Sequence, residues 1–380
     1  MDERRSHGHS TYLEWAKLKS QARHNLAISG MFSIELDALG VAAPKIDING
    51  PGGYGYAPLL EAIAERYRVG QESVVAAFGT SMANYLALAV STEPGDEVLF
   101  EQPGYEPLVS TARYLGLRAS YFQRRAQDRF QIDLAELASR VSERTRAIVI
   151  TDFHNPSGAA CSTDTLSELA ALAREHELFV IVDEVYREML YEAEPQSAFH
   201  IDPARFIITN SLTKGYGLSG LRCGWVLAAP DLVHRMWRIN DLHGATFVHP
   251  GELLSVVAFE NLPRIAAQMS ATLASNRQLL RRFLDDRREL EYHWPEHGTV
   301  VFPRLRSGNA DQLCVFLQTQ FEVSIVPGRF FGAPEHFRIG VGAETPVVAA
   351  ALRQLSEGMD AFARSGTDVS ANLDRSAAAG

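Results

Sequence analysis

Short apolar runs, each closed by polar or turn-forming residues, set the rhythm of this chain. Val74–Phe78, the run from Val98, Ala147–Thr151 and Leu178–Val182 read as strands, and Leu178–Val182 is β-branched and has the length of a buried strand. Another apolar strand leads into Ser211. Between the runs the spacing turns helical, as over Thr165–Arg174, where Thr165 and Glu168 fit a capping box. Strands alternating with helices predict an α/β fold around a mostly parallel sheet. Thr11–Leu18 carries a short apolar face followed by the polar Gln21–Asn25, which predicts a helical arm. Beyond about Pro250 the pattern is helical, and the basic stretch Asn276–Arg288 reads as a solvated helix face. The organisation expected is an arm over 1–45, a large domain over 46–250, a small domain over 251–365 and a disordered tail over 366–380. No internal repeat interrupts it.

Composition narrows the class. A chain of 380 residues is too large for one simple core. Its net charge of −10 argues against a nucleic-acid surface. Cys161, Cys223 and Cys314 show neither paired spacing nor a metal pattern, and a reducing cytoplasm is the simplest setting. No apolar run approaches membrane length, and Met1–Ser6 lacks the apolar core of a signal peptide. A soluble cytoplasmic protein is expected, with no metal, nucleic-acid or membrane partner.

Candidate chemistry lies at the ends of the predicted strands, where ligands gather in open α/β sheets. Lys214 stands in a small-residue turn, and Arg222 follows eight positions later in Ser211–Trp225. A desolvated lysine is a nucleophile toward aldehydes, and an arginine fork grips phosphate. The pair points to an aldehyde that carries a phosphate, pyridoxal 5′-phosphate. Asp183 closes the Leu178–Val182 run and can hold a protonated pyridine nitrogen; Tyr186 can donate to the ring's phenolic oxygen. Helix capping and packing would explain the same two residues. Asn155, in the turn Asp152–Gly158, offers amide donors to that oxygen, although Asn-Pro alone is commonly a turn. Gly79, Thr80, Ser81 and Met82 begin a helix whose free backbone donors would cradle a phosphate; Ser81 as an ordinary cap fits equally. Tyr105 could stack on the pyridine ring.

In this order the motifs resemble the class I/II aminotransferase superfamily, pyridoxal-phosphate enzymes of fold type I related to aspartate aminotransferase. The resemblance covers about Asn49 to Glu357. It implies a seven-stranded type of sheet between helices, with a smaller α+β domain, and a homodimer with shared active sites. By that pattern Lys214 is the Schiff-base lysine, Asp183 partners the ring nitrogen, and Tyr186 and Asn155 bind the phenolic oxygen. Tyr105 stacks on the ring, and Ser211, Arg222 and the Gly79–Ser81 turn hold the phosphate. Arg338 grips the substrate carboxylate with Asn155 beside it, and Val326–Gly332 resembles the segment that precedes Arg338. One position departs: aligned on Leu59–Ala64, a tyrosine of the relatives that reaches the neighbouring subunit's phosphate falls at Gly50; either Tyr54 or Tyr56 substitutes for it, or the phosphate is held without it. A polar loop over Asp241–Pro250, containing Thr246, is a candidate to cross the interface.

The implied activity is amino-group transfer from an amino acid to a 2-oxo acid by a ping-pong cycle through Lys214, within amino acid metabolism. A carbon-sulfur β-lyase or cyclising synthase of the same fold is the alternative, and a catalytically silent protein of this fold a further one. A pattern beginning near Asn49 leaves no room for an N-terminal DNA-binding domain. The substrate is not legible, because no second arginine for a side-chain carboxylate can be picked from linear sequence.

Overall fold

The computed structural model describes residues 9–35, 46–192 and 194–364; the predicted tail and the parts of the predicted arm over 1–8 and 36–45 lie outside them. Ten helices stand among the described residues: α1 Thr11–Leu18, α2 Ala57–Tyr67, α3 Gly79–Ser91, α4 Glu106–Tyr114, α5 Leu134–Arg140, α6 Thr163–Glu175, α7 Pro230–His243, α8 His249–Asp285, α9 Ala310–Phe321 and α10 Thr345–Arg364.

The apolar runs form a seven-stranded sheet. Its spatial order is Val74–Phe78, Cys223–Leu227, Phe206–Ser211, Phe179–Asp183, Thr145–Thr151, Glu97–Gln102 and Arg118–Gln123. Cys223–Leu227 runs antiparallel to both of its neighbours, and every other pairing is parallel. Both faces are covered, which is why the strands read as continuous apolar runs. One face packs Ile148, Ile150, Val180, Val182 and Ile208 in a core with α2 and α6. The other packs Val75, Val98, Val149 and Ile181 against α3 and α7. Register lines up the strand ends that matter: Thr151 opposes Asp183, Ser211 opposes Gly224 and Phe78 opposes Cys223.

A second core gathers α9, α10 and the last turns of α8 around three short antiparallel strands, Val300–Val301, Phe337–Gly340 and Val326–Pro327. Residues 24–35 bind to it as extended chain. His24–Asn25 pairs with Val323–Ser324, and the Gly340 amide donates to the Leu26 carbonyl at 2.7 Å. α8 is 37 residues long, about 55 Å at helical rise, and contributes Leu262 and Leu273 to one core and Leu280 and Phe283 to the other.

Two local expectations are corrected. α6 is capped by Ser162, whose hydroxyl accepts from the Thr165 amide at 3.0 Å; Thr165 is the third helical residue, so the helix begins earlier than a cap at Thr165 requires. Asp241–His243 is not loop but the last turn of α7, where Gly244 ends the helix, and α8 already begins at His249.

Candidate active site

Strand termini and one helix start converge on a cavity of about 130 Å³. Eight of the residues picked from the sequence line it: Thr80, Ser81, Tyr105, Asn155, Asp183, Tyr186, Lys214 and Arg222. A larger groove of about 960 Å³ lies between α2 and α8, lined by Glu65, Arg66 and Phe259, and none of the eight borders it.

The anion-binding end is built from glycine. Gly79 has φ +75°, and a Cβ there would lie 2.3 Å from Arg222 Nη2, so only glycine lets the guanidinium close over the start of α3. Arg222 Nη2 donates to the Phe78 carbonyl at 2.9 Å. Thr80 Oγ1 donates to Ser211 Oγ at 2.8 Å, which brings Ser211 to the same rim from the end of its strand. The unpaired amides of the first turn of α3, two hydroxyls and one guanidinium thus face one place, and the combination suits a phosphate dianion. Met82 is half-buried, packs against the core beneath α3 and does not line the cavity.

Asp183 lines the same cavity. Its Oδ2 accepts from Asn84 Nδ2 at 3.0 Å and its Oδ1 from the Val185 amide at 3.1 Å. Burial pushes its carboxyl up to about 6 against those hydrogen bonds, which favour the anion. A cationic nitrogen at this oxygen would reverse that shift. Lys214 also lines it, and burial holds its amine below the ordinary lysine value, as an amine nucleophile or base requires. Lys214 Nζ and the Tyr186 hydroxyl both donate to Ser29 Oγ, at 3.0 and 2.8 Å.

Arg338 belongs to the second core and reaches the cavity through Asn155. It is fully buried in the middle strand Phe337–Gly340; Nη1 donates to Asn155 Oδ1 at 2.7 Å, and Nη2 to Tyr12 Oη at 3.1 Å and to the Ala27 carbonyl at 3.0 Å. Asn155 is held from the other side, its backbone N–H donating to Thr151 Oγ1 at 2.9 Å. Thr151 in turn donates to Glu101, which is paired with the buried Arg124.

Tyr54 is placed elsewhere: it is exposed, with its ring 5.7 Å from that of Trp237 and the Arg238 guanidinium 4.3 Å above it, and it does not border the cavity of its own chain. At Gly50 a Cβ would lie 2.8 Å from the His249 ring. The cavity also includes Asn84, Thr151 and Thr213, which the sequence reading did not pick. Asn84 was within reach, standing one turn after Thr80 on the same helix face. Tyr12 and Ser29 carried no local signal, since only the fold brings the arm to Lys214 and Arg338.

Comparison with known proteins identifies the family. The family model for aminotransferase class I and II matches residues 45–355. Capreomycidine synthase of Streptomyces vinaceus is 31% identical over 309 residues, spanning 80% of this chain and 79% of that protein. Arginine–pyruvate transaminase AruH of Pseudomonas aeruginosa is 31% identical over 312 residues, 76% of this chain and 77% of its own. Among solved structures, a pyridoxal-phosphate-dependent aminotransferase from Streptococcus suis superposes with a TM-score of 0.86 at 24% identity, covering 92% of this chain and 97% of that one.

Proposed function

The chain belongs to the aminotransferase class I and II family, pyridoxal-phosphate proteins of fold type I, and from that premise we propose that it transfers the amino group of an amino acid to a 2-oxo acid. The observation that carries the proposal is the convergence of Lys214, Asp183 and Arg222 with the start of α3 on one cavity. These residues fit pyridoxal 5′-phosphate. Gly79 leaves the space in which Arg222 and the α3 amides meet a phosphate, Asp183 offers a carboxylate to a ring nitrogen, and Lys214 offers an amine to an aldehyde. When bound, the cofactor supplies a carbonyl that amines attack and a ring that takes up the electron pair left at a substrate α-carbon.

The protein's own groups do the rest. Arg338 holds the substrate carboxylate with a planar fork, and Asn155, already bonded to it, sets the fork's plane. Lys214 Nζ, held below the ordinary lysine value by burial, takes the proton from the α-carbon and delivers it two atoms away, across the intervening nitrogen. Asp183 would keep a proton on the ring nitrogen, Tyr186 and Asn155 would serve the phenolic oxygen, and Tyr105 would stack on the ring. Ser211, Thr80, Ser81, Gly79, the Met82 amide and Arg222 would hold the phosphate. Release of the first 2-oxo acid before a second binds makes the cycle ping-pong. The working form is a homodimer in the cytoplasm, with Tyr54 reaching the partner's phosphate from the surface loop.

A second reading rests on the likeness to capreomycidine synthase: elimination or cyclisation at the β-carbon on the same cofactor. Stoichiometry separates the two. Mixed with single amino acids, arginine first because of the likeness to arginine–pyruvate transaminase, the loaded protein should form about one 2-oxo acid per subunit and stop until an acceptor is added. Turnover that continues without acceptor would establish the second reading instead. Lys214→Ala should keep the fold and lose the visible absorbance of the loaded protein; an unchanged band would remove Lys214 from the site.

A further inference from the structure

We infer that Ser29 is a positioning residue of this site, whose single hydroxyl oxygen holds the Lys214 amine and the Tyr186 hydroxyl together. The inference rests on the reading of Lys214 as the reactive amine. A serine oxygen has two acceptor positions, and here the Lys214 amine takes one at 3.0 Å and the Tyr186 hydroxyl the other at 2.8 Å. Ser29 is 4% exposed, so water does not compete for them.

The backbone that carries this oxygen is itself tied down. Thr299 Oγ1 donates to the Ser29 carbonyl at 2.7 Å, and the Met31 amide donates to the Lys214 carbonyl at 2.8 Å. Between them, a Cβ at Gly30 would lie 3.2 Å from Lys214 Cδ, so the extended segment runs directly along the lysine stem. The Leu26 amide ties the same segment to Ser324, in the second core. Ser29 is therefore a fixed point against which both mobile ends, an amine on a four-carbon stem and a phenol, are set.

Two consequences follow from sharing one oxygen. Acceptance from the amine favours its charged form, so Ser29 offsets part of the desolvation that lowers Lys214. The phenol competes for the same oxygen and weakens that support. Tyr12 on α1, Asp183 on the central strand, Arg222 and Arg338 also act on the amine, and a change at position 29 alters none of them.

The test uses the full-length chain stripped of cofactor, with reloading as the check that the site is intact. Lysines are reductively methylated with formaldehyde and a borohydride across a pH series, and the Lys214 peptide is quantified by mass spectrometry against exposed Lys19. In Ser29→Ala the midpoint for Lys214 should fall by about half a pH unit or more, a roughly threefold faster reaction on the acid limb, with Lys19 unmoved. Ser29→Thr, which keeps the oxygen, should hold the wild-type midpoint. Tyr186→Phe, which frees the oxygen for the amine, should raise it, and decides the matter if Ser29→Ala does not fold. An unmoved midpoint in Ser29→Ala, or an equal shift in Ser29→Thr, or no rise in Tyr186→Phe, overturns the inference. Borohydride reduction of the loaded protein separates this failure from a deeper one: cofactor fixed to any lysine but Lys214 removes the reading beneath it as well.

Discussion

Asp183 shows how a single residue couples the empty and loaded forms of this site. Its carboxyl is raised by burial from the ordinary 3.8 to about 6, so between roughly pH 4 and 6 the folded chain binds a proton that the unfolded chain releases. Stability of the cofactor-free protein therefore loses on the order of 2–3 kcal/mol as pH rises through that window. Cofactor binding runs the other way, since a ring cation needs the carboxylate. Asp183→Asn should thus bind pyridoxal phosphate more weakly than wild type above pH 6, with the gap closing below it, and its cofactor-free form should melt no lower than wild type at pH 7. Spectrophotometric titration and calorimetry read the two effects. Asp183, Lys214 and Asn155 were legible because each ends a strand or follows one, where a polar residue after an apolar run has few structural reasons to be there, and Arg222 because it stands at a fixed spacing from Lys214. Ser29 and Tyr12 were not, because their partners lie 185 and 326 positions away.

Elements were read best where burial is one-dimensional. The strands of the large sheet are covered on both faces, so composition alone marks them; helix starts depend on one side chain meeting one amide, which periodicity does not report. Hence the start of α6 was placed at Thr165 when Ser162 caps it. The difference is measurable. Ser162→Ala should lower unfolding free energy by about 1 kcal/mol, whereas Glu168→Ala, expected to matter only if Thr165 were the cap, should stay within about 0.5 kcal/mol. Denaturant midpoints of the two variants settle it. The loop before α8 was overextended for a related reason: Asp241, Leu242 and His243 are exposed and look like linker, but they still satisfy the last helical turn up to Gly244.

At the scale of the whole molecule, the N-terminal arm joins what the sheet and the second core would otherwise present separately. Tyr12 packs 5.6 Å from Tyr105, 5.8 Å from Phe330 and 5.9 Å from Phe331, and its oxygen accepts from Arg338. Ser10, which caps α1, is bonded to Glu106 at the start of α4. Packing and polarity at Tyr12 separate by substitution. Tyr12→Phe keeps the ring and should cost under about 1 kcal/mol of stability, while lowering kcat/KM roughly three- to tenfold through the loosened Arg338. Tyr12→Ala should cost about 3 kcal/mol or more. Steady-state kinetics with thermal unfolding distinguishes the two.

The sequence pattern divides this chain near residue 250, yet α8 begins at His249 and feeds side chains into both cores. Leu273 and Leu280 are two helical turns apart and belong to different cores. Dissection at that point would therefore not release two folding units: a fragment ending at 250 lacks Ala258, Leu262, Ile265 and Met269, which close one face of its sheet, and the remainder carries those side chains bare to solvent. Expressed apart, each piece should be insoluble. Expressed together, the two should find each other and rebuild the site, with the exposed face of that helix as their recognition surface.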